Sequence, residues 1–480
     1  MKKLRFMNNC IKIVTLLLSS IIIFSSCSSV YIDPVITSSI NEDVSDENEY
    51  FTPNTVSIQG NSDDYYWNGY WLYFERQNTI AQTGTDANGE PVYGDSTISR
   101  LVKYNPATGQ VSSVCLDPSC NHSYESGCFT IVPHRSAKDP YVSMGINGIC
   151  GDWVMIRVSA AHDEYSATNE LKAFNMKTGE LRILSGEELG GEVMVRWTCR
   201  ATFGNKLYRI KNILDYSNTK YTPGGEGENV LDYTPETTCI LYEYDFDTNT
   251  DTELFEVPSD YDGICAVSNK RFFFQKTEGE IYSCKRDGSE WKKEDVLNFA
   301  PFNFFGSLAF IYLDGGAYTV YDLKTDQLTT VTPEFDAYGY PTLVSDGVIF
   351  SNVPTYDEAR AKSKEYRDTL NKENPSLSIT ERMELSNKLY LDILFSGSSQ
   401  IWKCDQYGNG MSMICEIEKT VIDPIFAVDQ YLFAKITYRK EKAENEEGEK
   451  TDSRCVINLE TGEFSELPLL DVVVPAEYLN

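Results

Sequence analysis

One turn recurs seven times along this chain, and it limits what the chain can fold into more than any other feature. It reads Tyr104-Asn105-Pro-Ala-Thr-Gly109, Phe174-Asn175-Met-Lys-Thr-Gly179, Tyr244-Asp245-Phe-Asp-Thr-Asn249, Lys285-Arg-Asp287-Gly288, Tyr321-Asp322-Leu-Lys-Thr-Asp326, Cys404-Asp405-Gln-Tyr-Gly408 and Ile457-Asn458-Leu-Glu-Thr-Gly462. Asn or Asp opens the turn because its side chain bonds backbone amides ahead of it, and a later Gly or Asn supplies positive φ. Each turn leads into a short strand, as at 181–184, 252–255, 328–331 and 464–467. An apolar or aromatic strand lies upstream of each, at 70–74, 153–158, 206–210, 271–274, 308–312, 348–350 and 431–434. Most of these follow a tight-turn pair such as Asn68-Gly69 or Asp346-Gly347. Four short strands per unit, every 40–70 residues or roughly so, mark a propeller blade. A lone unit cannot bury both faces, so the units must stack about an axis. The expected fold is therefore all-β, a seven-bladed β-propeller over residues 55–470. Two unrelated β-sandwiches are the alternative, and the regularity of the turns argues against them.

The repeated strand and the Tyr-Asn/Asp-x-x-Thr-Gly turn resemble the YWTD-like and TolB-like propeller lipoproteins of Gram-positive bacteria, over about residues 55–470. The resemblance implies the fold and says little about function. Letter the strands of each blade A to D from the centre outward. In propellers of that kind the A–B and C–D turns share one face, and the B–C loops and blade-to-blade crossovers share the other. Long insertions at 77–97 (blade 1), 217–236 (blade 3), 356–395 (blade 6) and 441–452 (blade 7) then all decorate the second face, together with a Cys/His cluster in the crossover from blade 1 to blade 2. Loops on a rigid scaffold are where binding residues gather. Unconstrained drift of long loops is the other reading, since added length costs little.

The blade 6 insertion, 355–395, reads as a helical hairpin. Thr355-x-x-Glu358 and Ser378-x-x-Glu381 are both capping-box patterns. Ala359, Ser363, Tyr366 and Leu370 share one helix face, and Leu385, Leu389 and Ile393 share another. The hairpin either covers apolar surface or serves as a partner-binding lid.

The N-terminus reads as an export signal. Lys2, Lys3, Arg5 and Lys12 precede an apolar run at 13–24 that is too short to span a membrane. Phe24-Ser25-Ser26-Cys27 resembles a bacterial lipobox, which implies diacylation of Cys27. A signal peptide at 1–26, an acidic tether at 27–54 and a tail at 471–480 would flank the propeller. The expected location is the outer face of the bacterial cytoplasmic membrane. The chain carries 42 Lys and Arg against 72 Asp and Glu. Without the four cations of the signal, 38 face 72, a net −34. Such a chain is not a general nucleic-acid binder, and lipid on Cys27 is its only expected membrane contact.

Of the 13 cysteines, Cys10 and Cys27 belong to the export region. Most of the rest fall at strand positions, where a cysteine is a small buried apolar residue. Three cluster, in Cys115-Leu-Asp-Pro-Ser-Cys120-Asn-His122-Ser-Tyr-Glu-Ser-Gly-Cys128. Cys115, Cys120, His122 and Cys128 could complete a tetrahedral, structural zinc shell. A disulfide such as Cys120–Cys128 is the competing reading in an oxidising compartment. The three histidines, His122, His134 and His162, are expected on the decorated face. Asp245 to Glu256 has calcium-loop spacing but Thr250 in place of the required Gly, so it reads as a hairpin.

No nucleophile elbow, phosphate loop, dinucleotide fingerprint or His-Glu-x-x-His motif occurs, and no catalytic residue is assigned. The leading expectation is a lipid-anchored propeller that binds a protein, peptide or glycan through its decorated face. A carbohydrate-active enzyme with rim carboxylates is an alternative. So is an accessory subunit of an envelope complex. Two carboxylates roughly 5–10 Å apart in a deep pocket would favour the enzyme; an aromatic rim would favour binding.

Overall fold

The seven turns fold alike. In each, the Asn or Asp Oδ1 accepts a hydrogen bond from the amide two residues on, at 2.8–2.9 Å, for Asn105, Asn175, Asp245, Asp287, Asp322, Asp405 and Asn458. A residue with positive φ closes each turn: Gly109, Gly179, Asn249, Gly288, Asp326, Gly408 and Gly462. The calcium-like stretch is one of these hairpins, as expected.

The computed structural model describes residues 64–468, apart from 86–90, 121–127, 129, 134–140, 162–166, 190–192, 218–234, 277–278, 298–302, 345, 375 and 441–448. These residues belong to one unit, Asp46–Asn480. The expected signal, Cys27, the tether, the tail and all three histidines lie outside the described residues, as does most of the blade 3 insertion.

The chain forms seven antiparallel sheets, each built on four consecutive strands; the blade 1 sheet gains a fifth, Ile131–Pro133, paired with its third. Blade 1 is Asp64–Trp67, Tyr70–Thr85, Pro91–Asn105 and Gln110–Ser113. Blade 7 is Thr420–Val428, Tyr431–Lys440, Glu449–Asn458 and Phe464–Glu466. Neighbouring A strands touch one another, which puts strand A innermost. The seven blades stand in a ring: a seven-bladed β-propeller.

Every blade-to-blade seam has its own apolar cluster, seven in all. Strand alternation makes this possible, since successive side chains face opposite sides of a sheet. In blade 4, Phe272 and Phe274 pack toward blade 3 while Phe273 packs toward blade 5, and all three are buried. The strand-borne cysteines Cys150, Cys239, Cys284, Cys404 and Cys455 are buried within these seams.

Among the described residues no strand is exchanged between blades 1 and 7, and side chains close the ring. Trp71, Tyr73, Val102 and Tyr104 of blade 1 pack on Phe426, Phe433, Val456 and Leu467 from the blade 7 side. Trp71 meets Phe433 and Phe426 edge-on at 5.0 and 5.9 Å. The Arg454 guanidinium lies 4.7 Å from the Tyr73 ring centre, and its Nε donates to Asp64 at 3.0 Å.

The helical hairpin is present, as α1 (Tyr356–Glu373) and α2 (Ile379–Leu394) between strands B and C of blade 6. Its details differ from the sequence expectation. Ser378 and Glu381 form a capping box, with Ser378 Oγ accepting from the Glu381 amide at 3.1 Å and Glu381 Oε2 from the Ser378 amide at 2.7 Å. Thr355 forms none; its hydroxyl donates to the Leu394 carbonyl at 3.0 Å and clips the two ends of the hairpin together. On α2 the buried residues are Ser386 and Leu394, while Leu385 is exposed. The buried stripe is thus one position round from the expected one. Ser363 donates to the Ser386 carbonyl, so helix–helix contact uses a polar pair that hydropathy does not mark. Those hydrogen bonds hold Glu381 below the ordinary carboxylate range. Ser378→Ala should loosen α2 by about 1 kcal/mol, read as faster amide exchange in α2 with the ring unchanged. A depressed pKa stabilises the fold above it, so the cap should weaken as pH falls through that folded pKa.

One expected loop is largely strand. Strands B and C of blade 1 run to Thr85 and from Pro91, pairing across most of 77–97. In blade 7 pairing extends from Tyr431↔Asn458 to Lys440↔Glu449, so 449–452 of the expected insertion are strand, and 441–448 lie outside the described residues. Polar residues without strict alternation concealed these arms, because backbone pairing needs no apolar side chain.

Candidate functional site

The decorated mouth of the channel is the first site. Blades 2, 3 and 7 each carry one extra residue in strand A where it pairs with strand B, and blade 4 carries two. In blade 6 the irregularity is larger. Between Tyr338↔Ser351 and Thr342↔Ile349, the three residues Gly339, Tyr340 and Pro341 oppose Phe350 alone. Such bulges re-aim side chains. Gly339 adopts φ 75°, and a Cβ there would lie 3.1 Å from Asp423 Oδ1. Glycine is therefore required twice, for conformation and for space. The bulge leaves Tyr340 51% exposed on an innermost strand. Its ring meets Tyr312 of blade 5 edge-on, with centroids 4.3 Å apart.

A carboxylate, Asp423, faces the bulge at Gly339. Asp423 pairs with Lys435 across strands A and B of blade 7. Water reaches Asp423, but protein encloses it on most sides; that desolvation raises its pKa, and Lys435 pulls it back down. Tyr338, the residue before the bulge, packs on Tyr356 of α1 at 5.0 Å. Burial, then Asp423 and Tyr390, push the Tyr338 phenol up to about 12. The hairpin roots on the propeller here through Val353, Ala359, Leu394, Phe395 and Val421. Arg439 of blade 7 pairs with Asp392 of α2 at 2.6 Å. The hairpin thus covers apolar surface at its base and forms one wall of the mouth. Farther along, Tyr366, Ile379 and Met383 are exposed.

Among the described residues the other aspartate whose pKa burial raises is Asp429, at the A–B turn of the same blade. Six residues of strand put it about 20 Å from Asp423. Those two carboxylates cannot make the close pair that glycoside hydrolysis needs. A second concavity of about 390 Å³ lies among the blade 5 and 6 turns, lined by Asp322, Thr325, Gln327, Thr329, Tyr407 and Asn409. It is an open gap on the undecorated face.

The thiol cluster is the second site; it lies in the expected crossover from blade 1 to blade 2, which first adds a short strand to blade 1. Residues 131–133 pair with 98–100 of strand C, just beyond the pairing of Gln110–Ser113 with 102–105. Both segments therefore occupy the outer edge of blade 1. The cluster sits in an excursion that leaves this edge and returns to it. Two hydrogen bonds close the neck: the Val114 amide to the Leu101 carbonyl at 3.4 Å, and the Leu101 amide to the Thr130 carbonyl at 2.8 Å. Leu116 lies against Gly179 in the C–D turn of blade 2. The cluster is thus on the outer wall, away from the channel mouth.

The sulfurs of Cys115, Cys120 and Cys128 all lie within 4.8 Å of one another, and none is bonded to another. Three such donors could hold a metal ion. Cys128 is buried and its Sγ is 3.0 Å from Thr130 Oγ1. Asp117 tightens the loop, accepting from the Ser119 amide and hydroxyl at 2.8 and 2.6 Å. Burial, with Cys128 and Cys120 adjacent, pushes the Cys115 thiol up to about 11. Sequence reading found the three cysteines by spacing. It missed the mouth, whose signal is the Gly-Tyr-Pro at 339–341 inside a strand.

No family model matches the chain, and no curated protein matches it. Among solved structures, a post-proline cleaving enzyme from Rickettsia typhi is similar at 11% identity and a TM-score of 0.42, over 86% of this chain and 53% of that one. Saccharomyces cerevisiae Sqt1 is similar at 9% and 0.31, over 87% and 98%. Porphyromonas gingivalis dipeptidyl peptidase 4 is similar at 10% and 0.32, over 86% and 52%. The chain spans about half the length of the first of these. None of these likenesses carries a functional argument.

Proposed function

We propose that this protein is an exported lipoprotein, held on the outer face of the cytoplasmic membrane by lipid on Cys27, whose propeller binds a glycan at the decorated mouth. The supporting observation is Tyr340, half exposed in the bulge of an innermost strand and packed on Tyr312, with Asp423 facing the neighbouring Gly339 and Lys435 paired with Asp423. A sugar ring has an apolar C–H face and a rim of hydroxyls. The tyrosine rings offer an apolar surface with polar tips. Asp423 can accept from hydroxyls and Lys435 can donate to them. Their opposite charges largely cancel, which favours a neutral polyhydroxyl ligand over a charged one. Lipid on Cys27 would keep the mouth near envelope glycans, and the acidic 27–54 segment would act as the tether.

The test uses the full-length lipoprotein in detergent on a glycan array, followed by calorimetry on the best ligand. Tyr340→Ala should weaken binding by about tenfold or more, the scale of 1.4 kcal/mol, with unfolding unchanged because the ring is half exposed. Retention of full affinity, or an array that stays blank while basic peptides bind, rejects the glycan reading. For the anchor, Cys27→Ser should move the protein from the detergent phase to the aqueous phase; a protein that stays in detergent rejects lipidation at that residue.

A further inference from the structure

We infer that Cys115, Cys120 and Cys128 form a zinc site that staples the neck of the blade 1 excursion, independent of the channel mouth. Zinc takes thiolate sulfur at about 2.3 Å in tetrahedral geometry, which sets sulfurs about 3.8 Å apart. The three sulfurs, all within 4.8 Å of one another, are already close to that arrangement. Cys115 follows the first neck residue, Val114, and Cys128 stands two residues before the second, Thr130. An ion held by both ties together two limbs that are each hydrogen-bonded to Leu101. Cys120 reaches the same point from within the loop, where the Asp117 turn and the Cys120 amide bonded to the Asp117 carbonyl at 3.2 Å fix it.

A disulfide explains this geometry less well. It joins two sulfurs and gives the third no reason to converge. Three soft donors suit zinc better than calcium or magnesium, which take oxygen. On binding, the three thiols become thiolates and their protons pass to solvent. In sequence, His122 stands two residues beyond Cys120 and is the fourth donor that the spacing offers. It lies outside the described residues, and we rest the site on the three thiols.

The full-length protein, purified in detergent under reducing conditions without chelator, should carry about one zinc per chain by elemental analysis. Serine at Cys115, Cys120 or Cys128 should each empty the site, while Cys415→Ser, a half-buried cysteine elsewhere, should leave it full. Cobalt exchanged for zinc should show sulfur-to-metal charge-transfer absorption in the wild type and lose it in the three variants. A measurement without mutation guards against misfolding. In the native protein, alkylation of these three cysteines should be slow until a chelator is added. Zinc that survives all three serine variants overturns the assignment. So does a metal-free protein in which two of the three cysteines resist alkylation until a reductant is added, since that is a disulfide.

Discussion

Trp71→Ala should cost about 3–5 kcal/mol of unfolding free energy, the range for deleting a buried indole, because it removes the centre of the seam that closes the ring. Trp71 is fully buried and touches Tyr73, Phe426 and Phe433. Among the described residues no strand crosses this seam from one blade to the other, so side-chain packing carries it. Trp71→Phe makes an informative contrast. The indole Nε1 is buried without a hydrogen-bond partner, and an unsatisfied donor carries a desolvation cost of about 1–3 kcal/mol. Phenylalanine loses volume but removes that cost, so its penalty should be much the smaller. Denaturant titration of both variants decides the matter. Should Trp71→Ala cost no more than a surface substitution, within about 0.5 kcal/mol, the side-chain closure of the ring is wrong.

Asp251→Ala should destabilise the protein by about 3 kcal/mol, at the lower end for breaking a buried ion pair, because its partner is buried and its own carboxylate is reached by water. Arg209, on strand B of blade 3, is 1% exposed. Its Nη2 donates to Asp251 Oδ2 at 2.7 Å and its Nη1 to the Leu184 carbonyl of blade 2 at 2.8 Å. The guanidinium lies 4.1 Å from the Trp197 ring centre. Without Asp251 the cation stays buried with no counter-charge. Adding Arg209→Met removes that cation and fills similar volume, so the double variant should recover most of the loss. A double variant as unstable as Asp251→Ala would sink the charge argument and leave packing as the cause.

The blades were legible because their signals are local. An Asn or Asp at the start of a turn bonds amides two residues away, and the positive-φ residue follows within the same turn. Neither depends on the rest of the chain, so seven turns in sequence became seven turns in space. Buried strands such as 272–274 were legible for a related reason, since both faces of a middle blade strand are covered and every residue reads apolar. The thiol cluster was legible as a set of residue types at short spacing. Its position was not, because the return of Ile131–Pro133 to strand C is a backbone pairing made beyond the loop. The arm of blade 1 was read as a loop for the same reason.

Sequence by itself determined the number of blades, the strands that make them, the helical hairpin in blade 6 and the meeting of three cysteines in one loop. Tertiary structure alone decided how the ring shuts, where the thiols sit, and that Tyr340 packs on Tyr312 with Asp423 facing the neighbouring Gly339. Those three depend on contacts between segments far apart in the chain: Arg454 with Asp64, Thr130 with Leu101, and Gly339 against Asp423. A turn is set by the torsions of a few successive residues, whereas a seam or a mouth exists only once separate blades have been brought to a common axis.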